Sequence, residues 1–386
     1  MKKTLLGTTA LVSAGLVAGP ALASDPLTVT VSGSVVTGFY FVDMDTVAGI
    51  DADDTKVAVV ARNVDIVASG TLDNGLVAGA ALKLQLGDDE RNVFTAPDDA
   101  TFSEAYAFLE GGFGRVELGA TDGAAFKMHY TSPWFVPGNG VDSPNIYNMQ
   151  NGGGRTHSSR TSTFSLLAED NNKISYFTPR LAGFQLGASF TPDVGRASGI
   201  TIPVNDPIAN GFGVTAQNSS IEEIFEIAAN YAGEFGGVSV GADIFYVTGD
   251  GPGVGASDPE ERGIGASLGW GGFTLGGAYT QVENVRQGTQ SIVAAVTAGN
   301  EADTWTVGLA YGAGPWTVGV AYLESEAENA AGVDVGSNEF LQVGGGYSLG
   351  AGVDIGLDVQ IIEDQAGAAA TAADSTSAGV VLAISF

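Results

Sequence analysis

The sequence predicts an all-β protein: a 16-stranded antiparallel transmembrane β-barrel with a long constriction loop folded into the lumen. Three observations predict it. Apolar residues recur with a period of two over stretches of about ten residues, which marks a strand with one apolar face. Sixteen such stretches follow one another, joined alternately by short turns and by long polar connections. Glycine supplies 57 of 386 residues, roughly twice its usual share; helix interiors resist that much glycine, whereas a sharply bent, closed sheet tolerates it.

Composition removes several function classes. The chain has 44 Asp+Glu against 15 Lys+Arg, a formal charge of −29, so it lacks the basic footprint that a nucleic-acid partner requires. With no cysteine there is no disulfide framework and no thiolate metal site. The only histidines are His129 and His157, a poor basis for a His-built metal centre or catalytic triad. The 44% apolar content argues against long-range disorder.

Residues 1–23 read as an export signal. Lys2 and Lys3 form a positive start, residues 5–18 are mostly apolar, and Ala21-Leu22-Ala23 fits the small-x-small rule, with cleavage after Ala23. The alternative, a membrane anchor, is disfavoured because a bilayer span needs about 20 apolar residues. Loss of Lys2 and Lys3 takes the charge from −29 to −31. The expected barrel domain is 24–386.

Strands are expected at 27–43, 55–72, 76–87, 101–111, 114–121, 172–180, 183–191, 221–233, 237–248, 260–270, 272–283, 302–312, 315–325, 337–349, 352–363 and 376–386. In the third, Leu82, Leu84 and Leu86 alternate with Lys83 and Gln85. In the ninth, Val238, Val240, Ala242 and Ile244 alternate with Ser239, Gly241 and Asp243. Trp305, Val307, Leu309 and Tyr311, then Trp316, Val318, Val320 and Tyr322, repeat the pattern. It is clearest where Val353, Ile355, Leu357, Val359 and Ile361 alternate with Asp354, Gly356, Asp358 and Gln360. The less apolar face is mostly Gly, Ala, Ser, Thr and acids, while aromatics cap the apolar face at both ends. A lipid-facing exterior with interfacial aromatics around a wet, small-residue lumen accounts for both faces. Asp73-Asn74-Gly75 is a strong hairpin turn, and Gly111-Gly112-Phe113, Leu181-Ala182, Glu234-Phe235-Gly236, Gly271, Ala313-Gly314 and Gly350-Ala351 are also short. The intervening connections, for example 44–54, 88–100, 193–220, 284–301 and 364–375, are long, polar and acidic. Short turns at one end and long loops at the other describe an outer-membrane barrel with both termini on the periplasmic side.

One connection, 122–171, exceeds the rest. It contains Pro133, Pro137, Pro144 and Gly152-Gly153-Gly154 and has no sustained period. Structureless loops beyond about 15 residues are usually functional or disordered. Phe126, Tyr130, Trp134, Phe135 and Tyr147 argue against disorder and need a surface to pack on, which the inside of the barrel offers.

The stretch Asn172-Lys173-Ile174-Ser175-Tyr176-Phe177-Thr178-Pro179-Arg180-Leu181-Ala182-Gly183-Phe184 resembles the N-x-x-x-Y-x-(S/T)-P-x-x-x-G-F segment of Gram-negative general porins. Gly114-Arg115-Val116-Glu117-Leu118-Gly119 resembles the porin strand that leads into the constriction loop, and the terminal Phe386 resembles the family's assembly signal. The resemblance covers essentially the whole mature chain and is nearest to the alphaproteobacterial trimeric porins. It implies an outer-membrane homotrimer of water-filled barrels, inserted by the barrel-assembly machinery among lipid and lipopolysaccharide, through which small hydrophilic solutes and ions diffuse. Where the family often has Arg after Leu-Gly, this chain has Ala120-Thr121-Asp122, so a strong basic cluster does not carry over there.

By strand parity, Lys83, Gln85, Arg115, Glu117, Asp243, Asp354 and Asp358 face the lumen. With the loop's Asp122, Lys127, Asp142, Arg155 and Arg160, the charged residues Lys83, Arg115 and Glu117 are the candidates for the constriction, the two loop arginines also being candidate wall anchors. The acid excess favours weak cation selectivity. Asp51/Asp53/Asp54, Asp88/Asp89/Glu90 and Asp98/Asp99 are candidate loose Ca²⁺ ligands or a solvated rim. No cofactor is expected. Enzyme readings are weak: Gly211-x-Gly213-x-x-Ala216 lacks a following helix, and His157-Ser158 with Asp142 lacks a strained elbow. A secreted or surface-attached adhesive or structural β protein is the alternative from another class.

Overall fold

The computed structural model describes residues 27–44, 54–86, 100–142, 160–194, 221–251, 257–284, 299–366 and 374–386. The export signal with Ala23 and most of the acidic loop clusters lie outside the described residues.

Sixteen strands form one closed antiparallel barrel. In chain order they are β1 Thr28–Met44, β2 Asp54–Thr71, β3 Val77–Leu86, β4 Ala100–Gly111, β5 Gly114–Ala120, β6 Asn172–Phe177, β7 Phe184–Asp193, β8 Glu222–Phe235, β9 Val238–Asp250, β10 Glu260–Trp270, β11 Phe273–Glu283, β12 Glu301–Ala313, β13 Trp316–Glu328, β14 Asp334–Gly350, β15 Val353–Ala366 and β16 Ser375–Ser385. Each pairs with its chain neighbours, and β16 returns to β1. Closure leaves no unpaired edge, the condition for a sheet to cross lipid. One four-residue helix, α1 Ala124–Lys127, follows β5.

The expected strands are all present; the ends differ. β6 stops at Phe177 rather than running to 180, because Pro179 has no N–H for the ladder. Thr178 closes that end instead: its N–H donates to the Leu186 carbonyl at 2.9 Å and its hydroxyl accepts from Leu186 N–H at 3.0 Å. At the long-loop end β13, β14 and β15 extend further than periodicity suggests, to Glu328, from Asp334 and to Ala366, since the ladder there continues into polar residues. At the other end the turns follow their sequence. Gly75 takes φ +81°, and Asn74 Oδ1 accepts from Leu76 N–H at 3.2 Å. Gly271 and Gly272 take φ +53° and +92°, the paired positive values of a two-residue hairpin.

The two faces separate as alternation demands. Trp305, Val307, Leu309 and Tyr311 are exposed, while Thr304, Thr306 and Ala310 at the alternate positions are buried. Aromatic rings form a girdle near the short turns, where Trp270 stacks on Phe273 (5.8 Å), Phe273 meets Tyr311 at a tilt (4.5 Å) and Trp316 meets Tyr347 edge-on (4.5 Å). Tyr246, Tyr279, Trp305 and Tyr322 lie on the same outer face nearer the long loops. Beyond them the outer face turns acidic. Glu260, Glu283, Glu301 and Glu328 pair directly across four neighbouring strands. Carboxylates are costly at mid-bilayer and tolerated near the interface, so this row marks the upper limit of the apolar band.

The interior is less uniformly wet than alternation suggests. Two apolar clusters line the inner wall. One gathers Tyr40, Val136, Phe135, Leu323, Phe340 and Ile362; the other gathers Met128, Leu166, Leu167, Ile224, Phe245 and Val247. Each includes residues of the 122–171 loop, which covers apolar wall that would otherwise face water.

Candidate functional site

The loop begins where β5 ends and runs round the inner wall. Met128 Sδ lies where a Cβ on Gly187 of β7 would be 2.4 Å away. The Tyr130 ring covers Gly241 of β9, and the Tyr130 carbonyl oxygen would be 1.9 Å from a Cβ on Gly265 of β10. The Thr131 carbonyl stands the same way over Gly276 of β11, at 2.4 Å, and the Phe135 ring over Gly319 of β13, at 2.3 Å. Val136 then lies over Gly344 of β14, Pro137 over Gly356 of β15, and Gly138 against Val36 of β1. All these wall positions share the inward parity. The track is continuous across strands: Gly276 pairs with Gly308, and Gly319 with Gly344. A side chain at such a point would meet loop backbone or a ring at a distance no real contact allows.

Polar side chains fasten the loop to this track. His129 is buried, with Nδ1 3.0 Å from Asp243 Oδ2 and Nε2 3.1 Å from Thr163 Oγ1, and Asp243 Oδ1 accepts from Tyr130 N–H at 2.7 Å. Arg160 donates to Glu261 and to the Phe164 carbonyl, both at 2.8 Å. Ser132 accepts from Thr306 at 3.0 Å. At the far end Asn139 donates to Asp358 at 3.2 Å, a buried carboxylate that also accepts from Tyr40, Gln342 and Gln360. Fully buried Asp142 joins the loop's two described halves, accepting from Thr131 on one side and from Ser162 and Thr163 on the other.

Charges converge where the loop leaves β5. Arg115 donates to Glu117 at 2.6 Å and to Glu110 at 3.1 Å, and its guanidinium stands 3.8 Å from the Phe108 ring centroid. Lys127 reaches Glu117 at 2.5 Å and Thr121 at 2.8 Å, and lies over the Tyr106 ring. Lys83 pairs with Glu104 at 3.2 Å, and Thr121 also donates to Glu104, at 2.7 Å. Lys173 caps the Thr121 and Glu169 carbonyls. Carboxylate oxygens of Glu104, Asp122 and Asp170 lie within 4.8 Å of one another. Lys83, Lys127 and Lys173 act on the same carboxylates, so the protein's own bases balance this grouping. Burial first, then the Glu104 charge, pushes Asp122 above the usual carboxylate range. Asp170 is pushed well above it by burial, then by Asp122 and Glu104.

Of the residues expected at the constriction, Lys83, Arg115, Glu117, Asp122 and Lys127 thus form one cluster. Arg160 lies apart, fixed to β10 through Glu261. Asp142 is in the loop but turned into it, so its charge serves Thr131, Ser162 and Thr163 rather than lumen water. Arg155 and His157 lie outside the described residues. Asp243 and Asp358 face inward as parity requires, but the loop covers them. Sequence reasoning missed Glu104, Asp170 and Lys173. Parity held a signal for Lys173, which alternates with Ile174 and Tyr176; nothing local marked Asp170.

A sequence profile described as Gram-negative porin matches residues 7–367. Among curated sequences, an uncharacterized protein of Rickettsia conorii is 28% identical over 142 residues, 33% of this chain and 31% of that protein. The chain thus spans about a third of the length of the curated relatives it matches. Solved structures that share the fold include the following two. OmpT of Vibrio cholerae, described in its trimer form, has a TM-score of 0.61 at 13% identity, covering 94% of this chain and 100% of that one. An anion-selective porin from Comamonas acidovorans has a TM-score of 0.60 at 19% identity, covering 93% and 100%.

Proposed function

The chain belongs to the Gram-negative porin family, and on that premise we propose that it is an outer-membrane channel for passive diffusion of small hydrophilic solutes and ions. The supporting observation is the loop on the inner wall: the apolar outer face suits lipid, and the charged cluster stands where the loop meets β5. Family and fold point to a non-enzymatic channel, and the mechanism proposed for it is sieving by a narrowed lumen with tuning by fixed charges.

Weak cation preference is the finer part of the proposal. Around the cluster stand Glu104, Glu110, Glu117, Asp122, Asp170 and Glu226, against Lys83, Arg115, Lys127 and Lys173. Asp122 and Asp170 hold their charge less firmly than ordinary carboxylates, so the local excess of acid is small. The long connections are acidic in sequence, and charges in open water are screened over about 8 Å at physiological salt. The two effects together give a preference that is weak and grows as salt is lowered. A homotrimer, contact with lipid and lipopolysaccharide, insertion by the barrel-assembly machinery and loose divalent binding at the outer acidic loops belong to the same proposal.

Reconstitution in a planar bilayer tests it. Detergent-purified, folded protein gives stepwise, ohmic current increments in KCl. Folded protein that inserts without conducting would contradict the channel reading.

A further inference from the structure

We propose that Trp134 is a contact surface for organic cations in transit, a specificity-determining residue of the lumen; this rests on the channel reading above. The residues beside Trp134 face the wall. Pro133 lies against Gly308, Phe135 against Gly319 and Val136 against Gly344, all on inward positions of successive strands. Among the described residues, Trp134 is not a nearest neighbour of any wall glycine. Its indole stands over Gly140, where a Cβ would be 2.4 Å from the ring, and Nε1–H donates to the Asp142 carbonyl at 3.2 Å. The ring is therefore fixed by its own loop, and it is 38% exposed. An exposed face on a segment that lies inside the barrel faces the lumen.

The class of solute follows from charge and from the protein's own habit. The indole face is the strongest cation-binding aromatic surface among side chains. Two other aromatics of this inner wall already carry cations of the chain: Arg115 lies over Phe108 and Lys127 over Tyr106. Among the described residues no side-chain cation lies over Trp134 in the same way. The small acid excess beside the loop, on which the proposed weak cation preference rests, favours cations over anions near this ring. An alkylammonium ion is less tightly hydrated than K⁺ and presents apolar surface, so it gains more from a fixed indole face than an inorganic ion does.

Tetraethylammonium, added to one side of a bilayer holding the channel in KCl, is the probe. Block is scaled to each variant's own open current. The wild type is expected to be blocked at roughly 2- to 30-fold lower concentration than Trp134→Leu, with Trp134→Phe between them. Equal block of wild type and Trp134→Leu overturns the proposal. Methyl glucoside is the neutral control: if its effect on the current depends on Trp134 and that of tetraethylammonium does not, the ring serves sugars and the proposal fails. Tryptophan emission of folded protein in detergent, titrated with tetraethylammonium, gives a readout without current. A saturable change lost in Trp134→Leu supports the site, and no change in the wild type overturns it. Folded protein that shows the emission change but carries no current sinks the channel reading alone.

Discussion

Glu117 holds two bases at once, Arg115 at 2.6 Å and Lys127 at 2.5 Å, and is almost wholly buried. Removing its charge leaves both cations facing the lumen without their shared counter-ion. Glu117→Gln should therefore move the reversal potential in a KCl gradient toward anions, and more so at low salt; no movement would mean that the cluster does not face the conducting path. Asp122 and Asp170 add a pH dependence. Both are held above the usual carboxylate range, so each keeps its proton at a pH where an exposed Asp, with an ordinary value near 4, is ionised. As pH falls from neutral, these two lose charge first. Cation preference should fall as pH is lowered from neutral, before ordinary exposed acids titrate, and Asp122→Asn with Asp170→Asn should flatten that part of the curve. A profile that changes only near pH 4 would assign the preference to the exposed acids.

At the scale of elements, the strands were legible and the loop only in part. Alternation placed β12 and β13 correctly because one residue out and one residue in is the whole code of a barrel wall. It misjudged what the inner residues meet. Gly276, Gly308, Gly319 and Gly344 read as small lumen residues in the sequence, whereas they form the bed of the 122–171 loop. Long-range seating leaves no periodic trace in the loop itself, so Asp142 read as a pore charge and proved to join two loop segments. The track yields its own prediction. Gly265→Val places side-chain atoms against the Tyr130 carbonyl and must lift the loop off β10. The barrel's hydrogen bonds run between strands and survive, so circular dichroism should show unchanged sheet. Single-channel current should become smaller and noisier as the lifted loop enters the lumen; a quiet, wild-type current would show that the track is not needed.

At the scale of the molecule, the barrel closes where the chain ends. Phe386 N–H donates to the Gly33 carbonyl at 3.0 Å, its own carbonyl accepts from Gly33 N–H at 2.9 Å, and its ring covers Gly33 on the outer face. Only the family resemblance marks the terminal aromatic as a candidate assembly signal; its pairing across the β1–β16 seam required the fold. Phe386→Asp puts a carboxylate on the outer surface at a cost of up to a few kcal/mol, depending on depth, and should lower the amount of folded protein in the outer membrane. Normal levels, measured by heat-modifiability of membrane fractions, would count against that role. The central claim is that a loop seated on the inner wall limits flow through an otherwise open barrel. Its most direct test is the single-channel conductance in KCl of the chain with residues 131–155 replaced by a short Gly-Ser link, beside the wild type. The account predicts intact sheet with a clearly larger unit conductance, and an unchanged conductance from folded protein would contradict it.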